Sequence, residues 1–383
     1  MQMSSKLINI LACPECRSSL KNERRNDSDI LKCKGCRKEY PFINVIYITD
    51  KCRPNKCNRE CLQVCRSGKL EYFPWTKISK RIRILQCNAC GACLNACPYC
   101  AIEVHKAPSF INNHSCNNNM KTAGSNQVGL VPELLRKPES MFMCGHVAST
   151  YDYVSSKIEE IDPEFVIDIG CGHNLFAAKY GIKRNYYTLD GRIDYHAYRK
   201  VDLLADGEKL PLADNCVPMV ISNFVLEHVH DPKRYLSEIM RVLEKEGILI
   251  ISTPTQYWHF INLFSFYAAF EYFKKILESP IEFFKNPWRH FIINRAHEKE
   301  HCWGDFKADK TIFDEISNWN VRNWRALYMA ERFEVISEKV TGNLFSGHHL
   351  RLCGNIYNPK KFGAHVTFLL KKRMETNGVR AAL

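Results

Sequence analysis

The sequence predicts an α/β fold with a parallel, doubly wound sheet in its C-terminal two-thirds, preceded by two small cysteine-built metal modules. Three observations predict it. Residues 141–383 alternate strand-like and helix-like runs, the pattern of a layered α/β domain. Within them the apolar run Phe165-Val166-Ile167-Asp168-Ile169 ends in the turn Gly170-Cys171-Gly172-His173-Asn174, and ligands of doubly wound sheets bind where such strands end. Thirteen of the nineteen cysteines lie between Cys13 and Cys100, in tightly spaced sets. That spacing points to metal thiolates in a reducing compartment and away from a secreted disulfide framework.

The bulk composition fits this organisation. The 383 residues, 45% apolar and 25% charged, suffice for two or three globular domains. Residues 1–50 hold two Cys-x-x-Cys pairs, and residues 51–107 hold nine further cysteines. Residues 108–140, rich in Asn, Ser, Gly and Pro, read as a linker to the domain at 141–383. The sequence has no apolar run long enough for a transmembrane helix, and Met1–Ala12 does not read as a secretory signal. A cytoplasmic location is expected. Of the net charge of +13, most lies in residues 1–107, where twenty Lys and Arg face nine Asp and Glu. A basic segment suggests contact with RNA, a ribosome or an anionic membrane face. Tetrathiolate sites, each carrying a formal charge of about −2, offset part of that excess.

Cys13-Pro14-Glu15-Cys16 and Cys33-Lys34-Gly35-Cys36 form two knuckles. Four thiolates at that spacing enclose a tetrahedral zinc with no open position, so the site is structural. A fifty-residue segment buries too little core to fold alone, and the metal is expected to hold it together. The frame Leu7–Pro14 and the segment Tyr40–Ile48 resemble the small zinc-ribbon proteins that bind and activate methyltransferases acting on tRNA, rRNA and release factors. In that family the activator is a separate subunit that docks by strand pairing. The resemblance implies fusion in cis, with Val45–Ile48 as the docking strand.

Cys87-x-x-Cys90-x-x-Cys93-x-x-x-Cys97-Pro98 is the bacterial ferredoxin run, preceded by Cys52, Cys57, Cys61 and Cys65. Three cysteines of such a run grip one [4Fe–4S] cluster and the fourth reaches the other. On that rule Cys87, Cys90, Cys93 and Cys65 hold one cluster, and Cys52, Cys57, Cys61 and Cys97 hold the other. Cys93, Cys97 and Cys100 also match the radical-SAM spacing, but the ferredoxin pattern already employs the first two, which leaves Cys100 an incidental thiol. Lys51–Cys61 with Gly68-Lys69-Leu70 is similar to the N-terminal iron–sulfur domain of the ribosome-recycling ABC ATPases (the RNase L inhibitor family). No Gly-x4-Gly-Lys-Ser/Thr follows, so the ATPase function of that family does not transfer.

In the third segment, Asn185–Asp190 reads as a second strand ending in an acid twenty residues after Gly170, a spacing that suits a carboxylate on ribose hydroxyls. A dinucleotide fingerprint would place its third glycine at position 175, which is Leu. Ala205-Asp206-Gly207-Glu208, the run Val220–Pro232, an amphipathic Tyr235–Leu243 and the strand Ile248–Ser252 follow. The ordered set resembles the class I S-adenosylmethionine (SAM)-dependent methyltransferases over roughly residues 145–260. The resemblance implies that Asp168, Gly170 and Gly172 line the methionine moiety, that Asp190 binds ribose, that Asp206 and Gly207 flank adenine, and that Asn223 sits at the mouth of the fourth strand. The family's Phe-Asp before that strand is Val217-Pro218 here. The sulfonium methyl is already activated, so the protein has mainly to align a nucleophile with it. His228 is the candidate base for a hydroxyl acceptor.

Residues 257–293 hold thirteen aromatics, Trp258, Phe264 and Trp288 among them. They suggest either a local helical core or an apolar lid within an insertion at 255–330. His297-Glu298-Lys299-Glu300-His301 matches a zinc-protease pattern but lacks an evident third ligand. The final strands are expected at Phe333–Val340 and His365–Lys371. The function expected is methyl transfer to a small, aromatic or lipid- or glycan-linked acceptor. The alternatives are methylation of tRNA, rRNA or a translation factor, and a non-catalytic iron–sulfur carrier or sensor with a SAM-binding domain.

Overall fold

The computed structural model describes residues 4–25, 28–48, 51–52, 56–65, 70–73, 81–84, 92–111, 148–172, 176, 185–191, 201–257, 318–341 and 363–373. In chain order the elements are α1 (Ser5–Ile10), β1 (Leu20–Arg25), β2 (Ser28–Cys33), β3 (Glu39–Ile48), α2 (Glu60–Gln63), β4 (Leu70–Phe73), β5 (Arg81–Ile84), α3 (Ala92–Ala96) and β6 (Ile102–Pro108). Then come α4 (Ala148–Ile161), β7 (Phe165–Ile169), β8 (Asn185–Asp190), β9 (Leu203–Leu204), β10 (Val217–Asn223), α5 (Pro232–Val242), β11 (Leu243–Pro254), α6 (Val321–Ala330), β12 (Phe333–Thr341) and β13 (His365–Lys372). Among the described residues the strands form sheets of order β1-β2-β3-β6, β4-β5 and β12-β13-β11-β10-β7-β8-β9. The chain divides into two compact units, and the boundary runs through β8. The first holds residues 1–143, 171–181 and 188–206; the second holds 144–170, 182–187 and 207–383.

In the first unit β1, β2 and β3 form an antiparallel meander. Strand β6 joins the free side of β3, in register from Phe42↔Pro108 to Ile48↔Ile102. Segments 1–50 and 51–107 therefore share one sheet. Val45–Ile48, expected as the docking strand, is already paired with β6. The backbone link to β9 comes from just beyond β6: Ser109 forms a parallel bridge with Leu204, and Phe110 N donates to Leu204 O at 2.8 Å. Val45 takes part through its side chain, packed with Ala107, Val201 and Leu204.

In the second unit β10 lies between β7 and β11, parallel to both. Strand β13 runs antiparallel between β11 and β12. All five positions of β7 are buried, as a strand covered on both faces requires. Each fully buried aliphatic or aromatic side chain stabilises by roughly 1.5–3 kcal/mol. Pro218 falls where the β10–β11 register shifts, a place where a missing N–H costs no ladder bond. Helix α5 begins at Pro232 after Asp231, whose side chain accepts from Lys233 N and Arg234 N. Its buried Tyr235, Leu236, Ile239 and Val242 repeat at the helical period and face the sheet. Helix α6 lies within the 255–330 insertion. Its Trp324 Nε1 donates to Pro254 O at 2.9 Å, and its buried Tyr328 meets Phe368 edge-on, 5.0 Å between centroids. Residues 258–317, with most of the aromatic run and His297–His301, lie outside the described residues. The strand order turns between β7 and β10, a topological switch point, so the carboxyl ends of these strands are where a ligand is expected.

Candidate functional site

The four ribbon cysteines converge. The Sγ atoms of Cys13, Cys16, Cys33 and Cys36 all lie within 4.8 Å of one another, with Cys16 and Cys33 at 3.3 Å and Cys13 and Cys36 at 3.6 Å. A tetrahedral ion with metal–sulfur bonds of about 2.3 Å sets its sulfurs about 3.8 Å apart, so the quartet is of zinc size. Each knuckle turns through a left-handed residue, Arg17 at φ 64° and Arg37 at φ 62°. A side chain at Gly35 would strike Ser18 Oγ at 2.3 Å. The Ser18 hydroxyl and backbone N–H, then the Cys33 thiol, draw the Cys16 thiol down to about 6. The Lys38 N–H lowers Cys36, but burial and the Cys33, Cys13 and Cys16 sulfurs together push it up to about 12. Thiols this close cannot all ionise unaided, and a divalent cation removes that conflict.

The second cysteine set also gathers. Cys61 of α2 and Cys93 of α3 are buried with Ile48 and Ile102, and Cys52, Cys65 and Cys97 pack against them. Burial raises the Cys61 thiol to about 12, helped by the nearby Cys97, Cys52, Cys57 and Cys93. Three of those four neighbours are the partners that the crossover rule assigns to Cys61. Tyr99 Oη donates to Lys56 O at 2.9 Å and ties the two halves of the module together. Cys100 is exposed. Cys87 and Cys90 lie outside the described residues.

The first unit also carries the second glycine of the turn and the acid of β8. Asp190 is 7% exposed, and its Oδ2 accepts from Gly172 N at 2.7 Å. Gly172 has φ +50°, and a Cβ there would meet nothing within 4 Å. Asp190 is set by its neighbours on the sheet, since its carbonyl accepts from Ala205 N at 3.0 Å. Asp202, which sequence reasoning missed, accepts from Thr188 N at 3.0 Å and Thr188 Oγ1 at 3.1 Å. It locks the strand that bears Asp190. Asp206 is exposed at the end of this unit. His173 and Asn174 lie outside the described residues.

The second unit carries the other nominated residues. Asp168 is buried, and its Oδ2 accepts from Tyr186 Oη at 2.5 Å. Gly170 has φ +75°, and a Cβ would fall 2.3 Å from Val225 Cγ2, so only glycine fits. A Cβ on Gly207 would fall 2.4 Å from Tyr235 Cε2. The loop after Gly207 is clamped to α5. Glu208 Oε1 accepts from His230 N and Asp231 N at 2.7 and 3.0 Å, and Glu238 Oε2 accepts from Leu210 N at 2.9 Å. Arg241 donates to the carbonyls of Leu212 and Leu210. Asn223 Oδ1 accepts from Ser252 Oγ at 2.8 Å. His228 closes a 3-10 turn, its N donating to Val225 O at 2.8 Å.

Two further residues of this loop escaped the sequence reading. Phe224 sits in the left-handed region at φ 59°, a strained state that clusters at functional sites. Its ring lies 4.5 Å from that of His365 and 6.5 Å from that of Tyr151. Glu227 is buried, and burial raises its carboxyl to about 8. The available signal for it was an acid interrupting the apolar run Phe224-Val225-Leu226.

Comparison with known proteins bears on both halves of the chain. Residues 167–251 match the family described as methyltransferase domain, and residues 4–44 match that described as Trm112p-like protein. Translation initiation factor RLI1 of Saccharomyces cerevisiae is 39% identical over 74 residues, 18% of this chain and 12% of that protein. Malonyl-(acyl-carrier protein) O-methyltransferase of Hahella chejuensis is 30% identical over 128 residues, 28% of this chain and 46% of that one. The chain thus spans less than half the length of either relative. Among solved structures, a chain from the complex between the Haloferax volcanii Trm112 methyltransferase activator and a methyltransferase is 12% identical. The match covers 59% of this chain and 99% of that one, at a TM-score of 0.33.

The C-terminal part is therefore an α/β domain of the class I SAM-dependent methyltransferase type. The chain joins that domain to a Trm112p-like zinc-ribbon segment, and over 74 of its residues it is similar to an RLI1 protein. Among the described residues no helix is long and apolar enough to cross a membrane.

Proposed function

We propose that the chain transfers a methyl group from SAM to a small, aromatic or lipid- or glycan-linked acceptor, and that its ribbon holds zinc and its second module two [4Fe–4S] clusters. The observation that carries the first part is the Asp190 carboxylate, buried at the end of β8 and held by the Gly172 N–H at 2.7 Å. A fixed carboxylate at a strand end beside a glycine turn is the arrangement that binds a ribose. SAM, when bound, supplies a methyl already activated on a sulfonium. The chain's own residues have to hold and orient the reactants. Asp168, Gly170 and Gly172 line the methionine moiety, Asp190 binds the sugar, Asp206 and Gly207 flank the base, and Asn223 sits at the mouth of the fourth strand. His228 takes the proton of a hydroxyl acceptor.

Calorimetric titration of the anaerobically purified chain with S-adenosylhomocysteine tests this. Saturable heat is expected, and its loss in Asp190→Ala. No heat with the intact chain sinks the reading. Transfer of labelled methyl from SAM into lipid extract rather than total RNA is expected. Transfer into RNA instead would favour the second reading, methylation of RNA or a translation factor. The Trm112p-like segment and the basic residues 1–107 support that reading. Binding with no S-adenosylhomocysteine formed on any acceptor would favour the third, a non-catalytic sensor.

A further inference from the structure

Within the first unit, strand β3 touches both cysteine segments and packs against Leu204 of β9, the strand paired with Asp190. Near its start, Tyr40 Oη lies 3.0 Å from Cys13 Sγ. At its middle, Val45 is 1% exposed in an apolar cluster with Ala107, Val201 and Leu204, against which Cys171 of the glycine turn also packs. At its end, Ile48 is fully buried among Cys61, Cys93 and Ile102. Val45 and Ile48 are three residues apart, about 10 Å along a strand. A backbone path runs beside it. Ile102 of β6 belongs to the cysteine core and pairs with Ile48. Six residues on, β6 ends, and Phe110 N donates to Leu204 O at 2.8 Å. The next residue, Ala205, donates to Asp190 O at 3.0 Å, and Asp190 Oδ2 holds Gly172 N.

We propose that occupancy of the iron–sulfur site at Cys52, Cys57, Cys61 and Cys97 sets the affinity of the Asp190–Gly172 clasp for SAM. This rests on the SAM reading above. The physical ground is what the core around Ile48 is made of. Among the described residues its members besides Ile48, Ile102, Leu62 and Leu94 are cysteines. Helices of four and five residues, such as α2 and α3, do not persist without tertiary support. A bound cluster would supply that support by cross-linking them. When the site empties, the Ile48–Ile102 end of β3 and β6 loosens. Strand β9 is only two residues long, and it loses the support of Ser109 and Phe110. Linkage makes the effect reciprocal, so a bound nucleoside must retain the cluster.

The test uses the full chain, anaerobically loaded, with iron, sulfide and zinc counted. S-adenosylhomocysteine affinity is measured by calorimetry before and after a ferrous-iron chelator empties the clusters while zinc stays bound. The rate of bleaching of the visible cluster absorbance is followed with and without the nucleoside. Emptying should weaken binding at least tenfold, and the nucleoside should slow bleaching severalfold. In the loaded Phe110→Pro variant the amide donor to Leu204 is gone. Its nucleoside affinity should fall with iron and zinc contents unchanged, and bleaching should ignore the nucleoside. Equal affinity in loaded and emptied chains, or a loaded Phe110→Pro chain that binds as tightly as the parent, overturns the coupling and leaves the SAM reading standing. Absence of binding in every form removes the SAM reading instead.

Discussion

At the scale of single residues the two glycines of the turn make opposite demands. Gly170 is barred to other residues both by its φ of +75° and by Val225, whereas Gly172 faces open space. Gly170→Ala should lose roughly 3 kcal/mol of unfolding free energy in urea, and Gly172→Ala only about 1 kcal/mol. Equal losses would show that the Val225 contact does not constrain the turn. Glu227 behaves as a neutral acid. Its folded pKa, about 8, lies above the ordinary 4.5, so between those values the native state binds more protons than the unfolded one. Stability from this group is fully present below pH 4.5 and is lost as pH rises through 8. Glu227→Gln should therefore leave stability unchanged at pH 4 and raise it by about 3 kcal/mol at pH 7. Thermal melts across that range check the sign, and a gain confined to acid pH would be the wrong outcome.

At the scale of elements, the ribbon and the α5 clamp stand on different physics. Among its described residues the ribbon buries Leu7, Leu11, Leu31, Tyr40, Val45 and Ile48 as its larger side chains, and its four thiols conflict without a cation. Cys33→Ser should abolish zinc retention and expose residues 1–107 to limited proteolysis before residues 207–383. The α5 clamp depends on Arg241, whose guanidinium holds Glu238, Asp214 and two carbonyls with its side chain 17% exposed. Removing one partner of such a network leaves the others uncompensated, and Arg241→Ala should cost about 3 kcal/mol, read from urea midpoints. Asp231→Ala at the cap of the same helix should cost about 1 kcal/mol.

At the scale of the whole molecule, the proposed function makes the nucleoside and the metals one folding problem. A ligand that binds only the native state stabilises by about 2.7 kcal/mol at a hundred times its Kd. S-adenosylhomocysteine at that level should raise the melting temperature of the loaded chain. The β3–β6 pairing joins the two cysteine segments into one sheet, so they should melt together, and separate thermal transitions for residues 1–50 and 51–107 would contradict that.

The sequence by itself determined the element types and which four ribbon thiols come together. The apolar run at Phe165–Ile169 and the acid-ended run at Asn185–Asp190 are strands with those bounds, because period and turn chemistry act locally. The Cys-x-x-Cys pairs named their quartet because a knuckle is a local structure. Only the tertiary structure decided what depends on chain segments far apart. It gave Val45–Ile48 to β6 and left Ser109 and Phe110 to reach β9. It also engaged Asp168 with Tyr186 and buried Glu227. A strand edge takes whichever partner the rest of the fold brings alongside, and a carboxyl's charge follows its surroundings; neither is encoded in the neighbouring residues.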